Sequence, residues 1–111
     1  MIYNGLRLVE KRKDSRKRLE VSLIVCPLSV PCRISGRVRD ISLGGMRVKN
    51  RIPPSPFEQD EEVRFFINKE GLVLEGEGKV VWASDFRGEV GIKFTQLSDG
   101  MRSFLQKFLG V

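Results

Sequence analysis

The feature that most constrains the fold is a two-residue alternation of apolar and polar side chains, which recurs in six short runs. Side chains of a β-strand point alternately to opposite faces, so each run predicts a strand with one buried face. A turn signal at 68–71 predicts a hairpin between the fourth and fifth runs. The predicted inward positions are Leu19, Val21, Leu23 and Val25; Ile34, Gly36 and Val38; Met46 and Val48; Val63, Phe65 and Ile67; Leu72, Leu74, Gly76, Gly78, Val80 and Trp82; and Val90, Ile92 and Phe94.

The last segment of the chain changes from a two-residue period to a helical one. Its apolar residues recur at i, i+3, i+4, i+7 and i+8, which predicts a helix with one apolar stripe. Ser98 is the predicted N-cap, and Gly110 is the predicted end. A chain of 111 residues is long enough for one modest core. We therefore predict a mainly β fold, a six-stranded antiparallel β-barrel with a C-terminal α-helix.

The second run is interrupted at Asp40. Val38 points inward, the next inward slot falls on Asp40, and Ile41 lies where a polar residue is due. A carboxylate buried without a partner costs several kcal/mol, so we expect Asp40 at a bulge or strand end, facing a groove. Ser42 adds a small donor and acceptor, and the glycines at 44–45 allow close backbone approach. This run predicts a ligand-facing turn.

Positive charge is concentrated at the start of the chain. The net charge is +6, and residues 1–18 hold seven basic and two acidic residues, whereas the other 93 residues hold thirteen basic and twelve acidic ones. We predict a flexible basic arm over 1–18 on a nearly neutral barrel over 19–111. Arginines such as Arg12 and Arg16 can present a bidentate fork to a guanine edge or to phosphate oxygens, so the arm predicts an anionic partner.

Several classes of function lack support in the sequence. The chain has no His, no Gly-x-Ser-x-Gly run and no phosphate-binding loop, so we predict that it is not an enzyme. Cys26 and Cys32 are the only cysteines, and we read them as buried or half-buried free thiols rather than a metal or redox site. No apolar run approaches the roughly 20 residues of a membrane span. The N-terminus lacks the apolar stretch of a secretory signal, so a cytoplasmic location is expected.

The sequence resembles the PilZ domains, a family of bacterial receptors for cyclic di-GMP. That family has an Arg-x-x-x-Arg stretch before the first strand and an Asp/Asn-x-Ser-x-x-Gly stretch after the second. Residues 12–16 (Arg-Lys-Asp-Ser-Arg) and 40–45 (Asp-Ile-Ser-Leu-Gly-Gly) are similar to these two stretches. The resemblance continues through 78–82 and 91–94 to the C-terminal helix, and covers the chain beyond residue 10.

The resemblance implies that cyclic di-GMP binds between the arm and the turn, with no metal or further cofactor. Arg12 and Arg16 would hold guanine edges and phosphates, Asp40 and Ser42 would hydrogen-bond the other guanine, and Gly45 would keep the floor open. Lesser candidates are Lys11, Lys13, Arg18, Gly44 and Trp82.

Three of these candidates have alternative readings. Arg18 is closer to the first strand than Arg16 and is the alternative second arginine. In similar domains a basic residue at the position of Lys11 accompanies binding of two stacked ligands. Trp82 shares its predicted face with Leu72 and Val80, so we expect it in the core rather than stacked on a guanine.

The function predicted from these features is a cyclic di-GMP receptor or adaptor. Its arm would change conformation on binding and signal to an unidentified downstream protein, the chain being a monomer or weak dimer. One alternative is a small basic barrel that binds single-stranded nucleic acid, and another is a degenerate PilZ-like adaptor for protein interactions. Such nucleic-acid barrels present exposed aromatic side chains, whereas most aromatics here are predicted to point inward.

Overall fold

The computed structural model describes residues 16–29, 32–50, 57–84 and 86–110. All strand pairs are antiparallel, and the barrel closes in the order β1-β2-β3-β6-β5-β4, with β4 pairing back to β1. The mainly β fold, a six-stranded antiparallel barrel with a C-terminal helix, is confirmed. The elements are β1 Lys17–Pro27, β2 Ile34–Ile41, β3 Gly45–Asn50, β4 Glu62–Lys69, β5 Leu72–Ser84, β6 Glu89–Leu97 and α1 Asp99–Leu109.

The interior of the barrel is filled by the inward faces of all six strands. Burying one such aliphatic or aromatic side chain contributes about 1.5–3 kcal/mol, so the alternation of the sequence supplies most of the driving force. The fully buried side chains of the strands are Val25, Val38, Ile41, Met46, Val48, Val63, Phe65, Ile67, Leu74, Val80, Val90 and Ile92.

Helix α1 packs its apolar stripe onto the barrel through Met101 and Leu105, which are buried. The predicted caps are present: the Ser98 hydroxyl accepts from the Met101 amide at 3.2 Å, and Gly110 ends the helix with φ 75°. Lys17 Nζ donates to the Phe108 carbonyl oxygen at 3.0 Å and so joins the helix end to β1. No helix in the described part of the chain has the length and apolar character needed to cross a bilayer.

Three side chains differ from their predicted environments. Leu72 and Trp82, at the two ends of β5, are 58% and 40% exposed, although both were expected on the buried face. Leu72 pairs with Lys69 at the β4–β5 hairpin, and the register of β5 against β6 shifts between Val80 and Trp82. The alternation of inward and outward side chains therefore does not hold at either end of β5. Both cysteines are free thiols, but Cys32 is exposed rather than buried.

Candidate ligand-binding groove

The interruption predicted at Asp40 is a β-bulge. Val38 pairs with Val48 of β3, whereas Asp40 pairs with Arg47, so Arg39 is one extra residue on β2. Val38 and Ile41 are both fully buried although they are three residues apart. This is the one-residue slip in the alternation that the sequence predicts. The bulge leaves the Asp40 side chain 17% exposed on the outside of the barrel.

Two arginines share the Asp40 carboxylate. Arg16 Nη1 donates to Oδ1 at 2.9 Å, and Arg47 Nη2 lies 2.8 Å from Oδ2. Arg16 directly precedes β1 and Arg47 lies in β3, so the carboxylate on β2 joins both neighbouring strands. The Nε of Arg47 is buried and has no hydrogen-bond acceptor among the described residues. An uncompensated donor of this kind costs about 1–3 kcal/mol, so an acceptor from a ligand would be stabilising here.

The turn that follows Asp40 is held by its own polar groups. The amide and the hydroxyl of Ser42 both donate to the Gly45 carbonyl, at 2.8 and 3.2 Å, and Ser42 is buried. Its hydroxyl proton is thus used within the turn, and its lone pairs remain to accept. A Cβ on Gly45 would collide with the Ile92 carbonyl oxygen of β6, so this glycine permits close packing of β3 on β6. A Cβ on Gly44 would meet nothing within 4 Å.

Trp82 lies at the surface beside this turn and not in the core. It pairs with Gly91 of β6, and a Cβ on Gly91 would meet the indole, with Cε2 at 2.5 Å. The indole therefore lies against a strand position that only a glycine leaves free.

These groups line one groove of about 560 Å³. Among the described residues, its charged lining residues are Arg16, Arg47, Lys93 and Asp40, which leaves two net positive charges. The remaining lining residues are Ser42, Gly44, Gly45, Met46, Val81, Trp82, Gly91 and Ile92.

Six of the predicted candidates come together in this groove, and they include Arg16 rather than the alternative Arg18. Arg18 pairs with Asp40 across β1 and β2 but does not line the groove. Lys11, Arg12 and Lys13 lie outside the described residues. The candidates in the groove are Arg16, Asp40, Ser42, Gly44, Gly45 and Trp82.

Sequence reasoning missed the contributions of β3 and β6. Arg47 and Lys93 sit at outward positions of alternating strands, where a charged residue is ordinary and gives no separate signal. Their distance from the turn is set by the pairing of β3 with β2 and β6, which the sequence alone does not give. Two larger depressions lie elsewhere: one of about 740 Å³ includes both cysteines, and one of about 910 Å³ lies on β1–β5. Neither contains Asp40.

The fold and the groove define a class: a closed six-stranded β-barrel with a cationic groove beside a bulge and a glycine turn. The chain belongs to the PilZ domain family, which it matches over residues 10–110. No curated protein matches the sequence.

Solved structures of PilZ domains share this fold at low sequence identity. The PilZ domain of CeSA from a cellulose-synthesizing bacterium has a TM-score of 0.67 and 16% identity, over 86% of this chain and 95% of that one. The PilZ domain of YcgR from Escherichia coli, solved with c-di-GMP, has a TM-score of 0.69 and 16% identity over 86% of each chain. The Bacillus subtilis inhibitor of motility MotI/DgrA has a TM-score of 0.63 and 17% identity. The match covers 85% of this chain and 47% of that one.

Proposed function

We propose that this PilZ domain is a receptor for cyclic di-GMP and holds it in the groove around Asp40. The observation that carries the proposal is the ion pair between Arg16 and Asp40, which joins the two motif segments across 24 residues. The YcgR structure with c-di-GMP, on the same fold, supports the choice of ligand. The proposed role is recognition and signalling without catalysis.

The charge of the groove matches this ligand. Cyclic di-GMP carries two phosphodiester charges, and the groove has two net positive charges from Arg16, Arg47 and Lys93 against Asp40. A guanidinium has five N–H donors, so each arginine keeps donors for phosphate oxygens or a guanine edge while one contacts Asp40. Electrostatic attraction therefore favours a dianion of this kind.

Asp40 has a second part in the proposal. A carboxylate accepts well from the N1–H and N2–H groups of guanine, but both oxygens of Asp40 already face an arginine. Guanine binding at Asp40 would displace one guanidinium, which is then free to turn to a phosphate or to the O6 and N7 edge. The ion pairs thus hold Asp40 and the arginines in place before the ligand enters. On binding, these charged groups exchange one partner for another, so none of them is left without a partner.

The proposed signal leaves through the basic arm. Arg12 lies one motif spacing before Arg16, and we propose that the part of the arm before Arg16 closes over the ligand with Arg12 as a further contact. Lys11 and Lys13 would add charge to that contact. The closed arm would present a new surface to a downstream protein. Amide hydrogen exchange over 1–18 should slow when cyclic di-GMP is added, and unchanged exchange at saturation would contradict this step.

Calorimetric titration with matched variants tests the binding proposal. Arg64 is a close control for Arg16, because its side chain is 52% rather than 51% exposed and forms one ion pair, with Glu77 at 2.8 Å. We expect Arg16→Ala to weaken cyclic di-GMP binding by about tenfold or more, which corresponds to the roughly 1–3 kcal/mol of a bidentate guanine contact. Arg64→Ala should leave the affinity unchanged. Absence of heat with the folded wild-type chain at micromolar concentrations, or equal losses in both variants, would reject the proposal.

A further inference from the structure

A second groove, of about 910 Å³, is lined by residues of β1–β5 and plays no part in the proposed nucleotide site. We call it the basic groove. Three cationic side chains line it, Arg37, Arg39 and Lys49, together with the half-buried apolar side chains of Ile24 and Phe66. It therefore combines an apolar floor with a charged rim.

Two residues that line this groove have a buried donor without an acceptor among the described residues. Asn50 is only 3% exposed, and its Nδ2 finds no hydrogen-bond partner within the described ranges. Arg39 Nε is buried and likewise has no hydrogen-bond acceptor there, since Glu20 Oε1 at 4.0 Å is within ion-pair distance only. Buried donors of folded proteins are almost always satisfied, and each unsatisfied one costs about 1–3 kcal/mol. Both atoms are N–H donors, so a ligand that satisfied them would do so with acceptor atoms such as carboxylate or carbonyl oxygens.

The local charge also favours an anionic partner. Within the described part of the chain, Glu20 is the one carboxylate that lines the basic groove, and its Oε1 lies 4.0 Å from Arg39 Nε. Arg37 donates to the backbone carbonyl of Glu20 at 3.3 Å, which leaves its charge uncompensated. Three cations against one carboxylate leave two positive charges over the apolar floor.

These properties select one kind of occupant. The chain's own arm, residues 1–18, is excluded by its seven basic residues. A bare phosphate backbone would satisfy the cations but would leave the apolar floor uncovered, whereas a peptide can cover both. The barrel is closed, so an added strand has no free edge in the described sheet, and side chains must make the contact.

We propose that the basic groove binds a segment of a partner protein in which Asp or Glu residues alternate with apolar side chains. Carboxylates and carbonyls of that segment meet Arg37, Lys49 and the unpartnered donors of Arg39 and Asn50, and its apolar side chains cover the floor. The proposal rests on none of the contacts used for cyclic di-GMP. It holds whether or not that nucleotide binds.

The test uses the full chain without nucleotide and a fluorescein-labelled synthetic peptide in which Asp and Glu alternate with Leu and Phe. We compare the double variant Arg37→Glu/Lys49→Glu with Lys79→Glu/Arg102→Glu, which makes the same change in net charge at exposed positions outside the groove. Fluorescence anisotropy should show binding to wild type, a loss of about tenfold or more in the first variant, and a change of less than about twofold in the control.

A neutral variant and a mapping measurement make the result independent of folding effects. Arg37→Gln/Lys49→Gln should weaken binding by less than the charge reversal, and circular dichroism confirms that each variant is folded. Amide chemical shifts should change at Ser22, Phe66 and Asn50, and not at Asp40 or Trp82. A single-stranded oligothymidylate should bind more weakly than the peptide. Failure of the peptide to bind, equal losses in both charge-reversal variants, shifts confined to Asp40, or tighter oligonucleotide binding in this groove would each overturn the proposal.

Discussion

Two exposed arginines, one directly before β1 and one in β4, form ion pairs that look alike. The Arg16–Asp40 and Arg64–Glu77 distances are 2.9 and 2.8 Å, and the two arginine side chains are 51% and 52% exposed. The surroundings differ. Asp40 is 17% exposed and is also paired with Arg47, whereas Glu77 is 31% exposed and has Arg64 as its ion-pair partner.

The difference shows what distinguishes a candidate site from ordinary surface polarity. Arg64 and Glu77 face each other in the β4–β5 register, and the hydrogen bond and charge of Glu77 raise the pKa of Arg64. That pair is local and electrically neutral, and exposed pairs of this kind contribute little to stability because solvent screens them. The Asp40 cluster joins segments 24 residues apart and leaves excess positive charge beside a groove. The candidate site is therefore distinguished by cationic side chains that come together in excess beside a groove, and not by the distance within an ion pair.

The largest expected effect is on the free energy of unfolding, which should depend on Asp40 much more than on Glu77. Asp40→Ala leaves two guanidinium groups close together without their shared acceptor, and hydrogen bonds to charged groups contribute about 1.5–3 kcal/mol each. We expect the free energy of unfolding to fall by about 2–3 kcal/mol in urea titrations without ligand. Glu77→Ala should change it by less than about 0.5–1 kcal/mol. Equal losses would erase the distinction between the two pairs.

The next effect concerns the two ends of β5. A base stacked on an aromatic side chain contributes about 1–3 kcal/mol, so Trp82→Ala should weaken cyclic di-GMP binding by about fivefold or more. Leu72→Ala, at the other exposed end of the same strand, is the control and should leave the affinity unchanged. Trp82 is the sole tryptophan, so its emission should change on titration of the wild type. A constant emission at saturation, with full affinity in Trp82→Ala, would remove the ring from the site.

A smaller effect concerns packing in the nucleotide groove. A Cβ on Gly91 would meet the Trp82 indole, whereas a Cβ on Gly44 would meet nothing within 4 Å. We expect Gly91→Ala to cost about 1 kcal/mol of stability and to shift the tryptophan emission without ligand. Gly44→Ala should do neither. An unchanged spectrum in Gly91→Ala would show that the ring does not depend on this contact.

The smallest effect lies at the β4–β5 hairpin. Glu70 and Gly71 both have positive φ, 53° and 83°, a backbone region in which Asn is favoured over Glu. Glu70→Asn should raise the thermal midpoint by an amount equivalent to about 0.5 kcal/mol, since the Lys69–Glu70 pair it removes is exposed. Affinity for cyclic di-GMP should not change. A lower midpoint would mean that this ion pair outweighs the backbone preference.

Much of the fold was readable from local spacing. The six alternating runs became six strands, the slip between Val38 and Ile41 became a bulge, and Ser98 and Gly110 cap the helix. Each of these depends on where neighbouring side chains point within one element. Trp82 broke the same rule because a register shift in β5 changed the face it occupies, and local parity carries no information about register.

The sequence by itself determined the period of each element, the caps of the helix and the surplus of positive charge near the chain start. The tertiary structure decided that Arg16 and Arg47 share Asp40, that Trp82 lies on Gly91 at the surface, and that Lys93 completes a cationic groove. The physical reason is that spacing along a chain sets the direction of a side chain, whereas distances between strands depend on register and closure of the barrel.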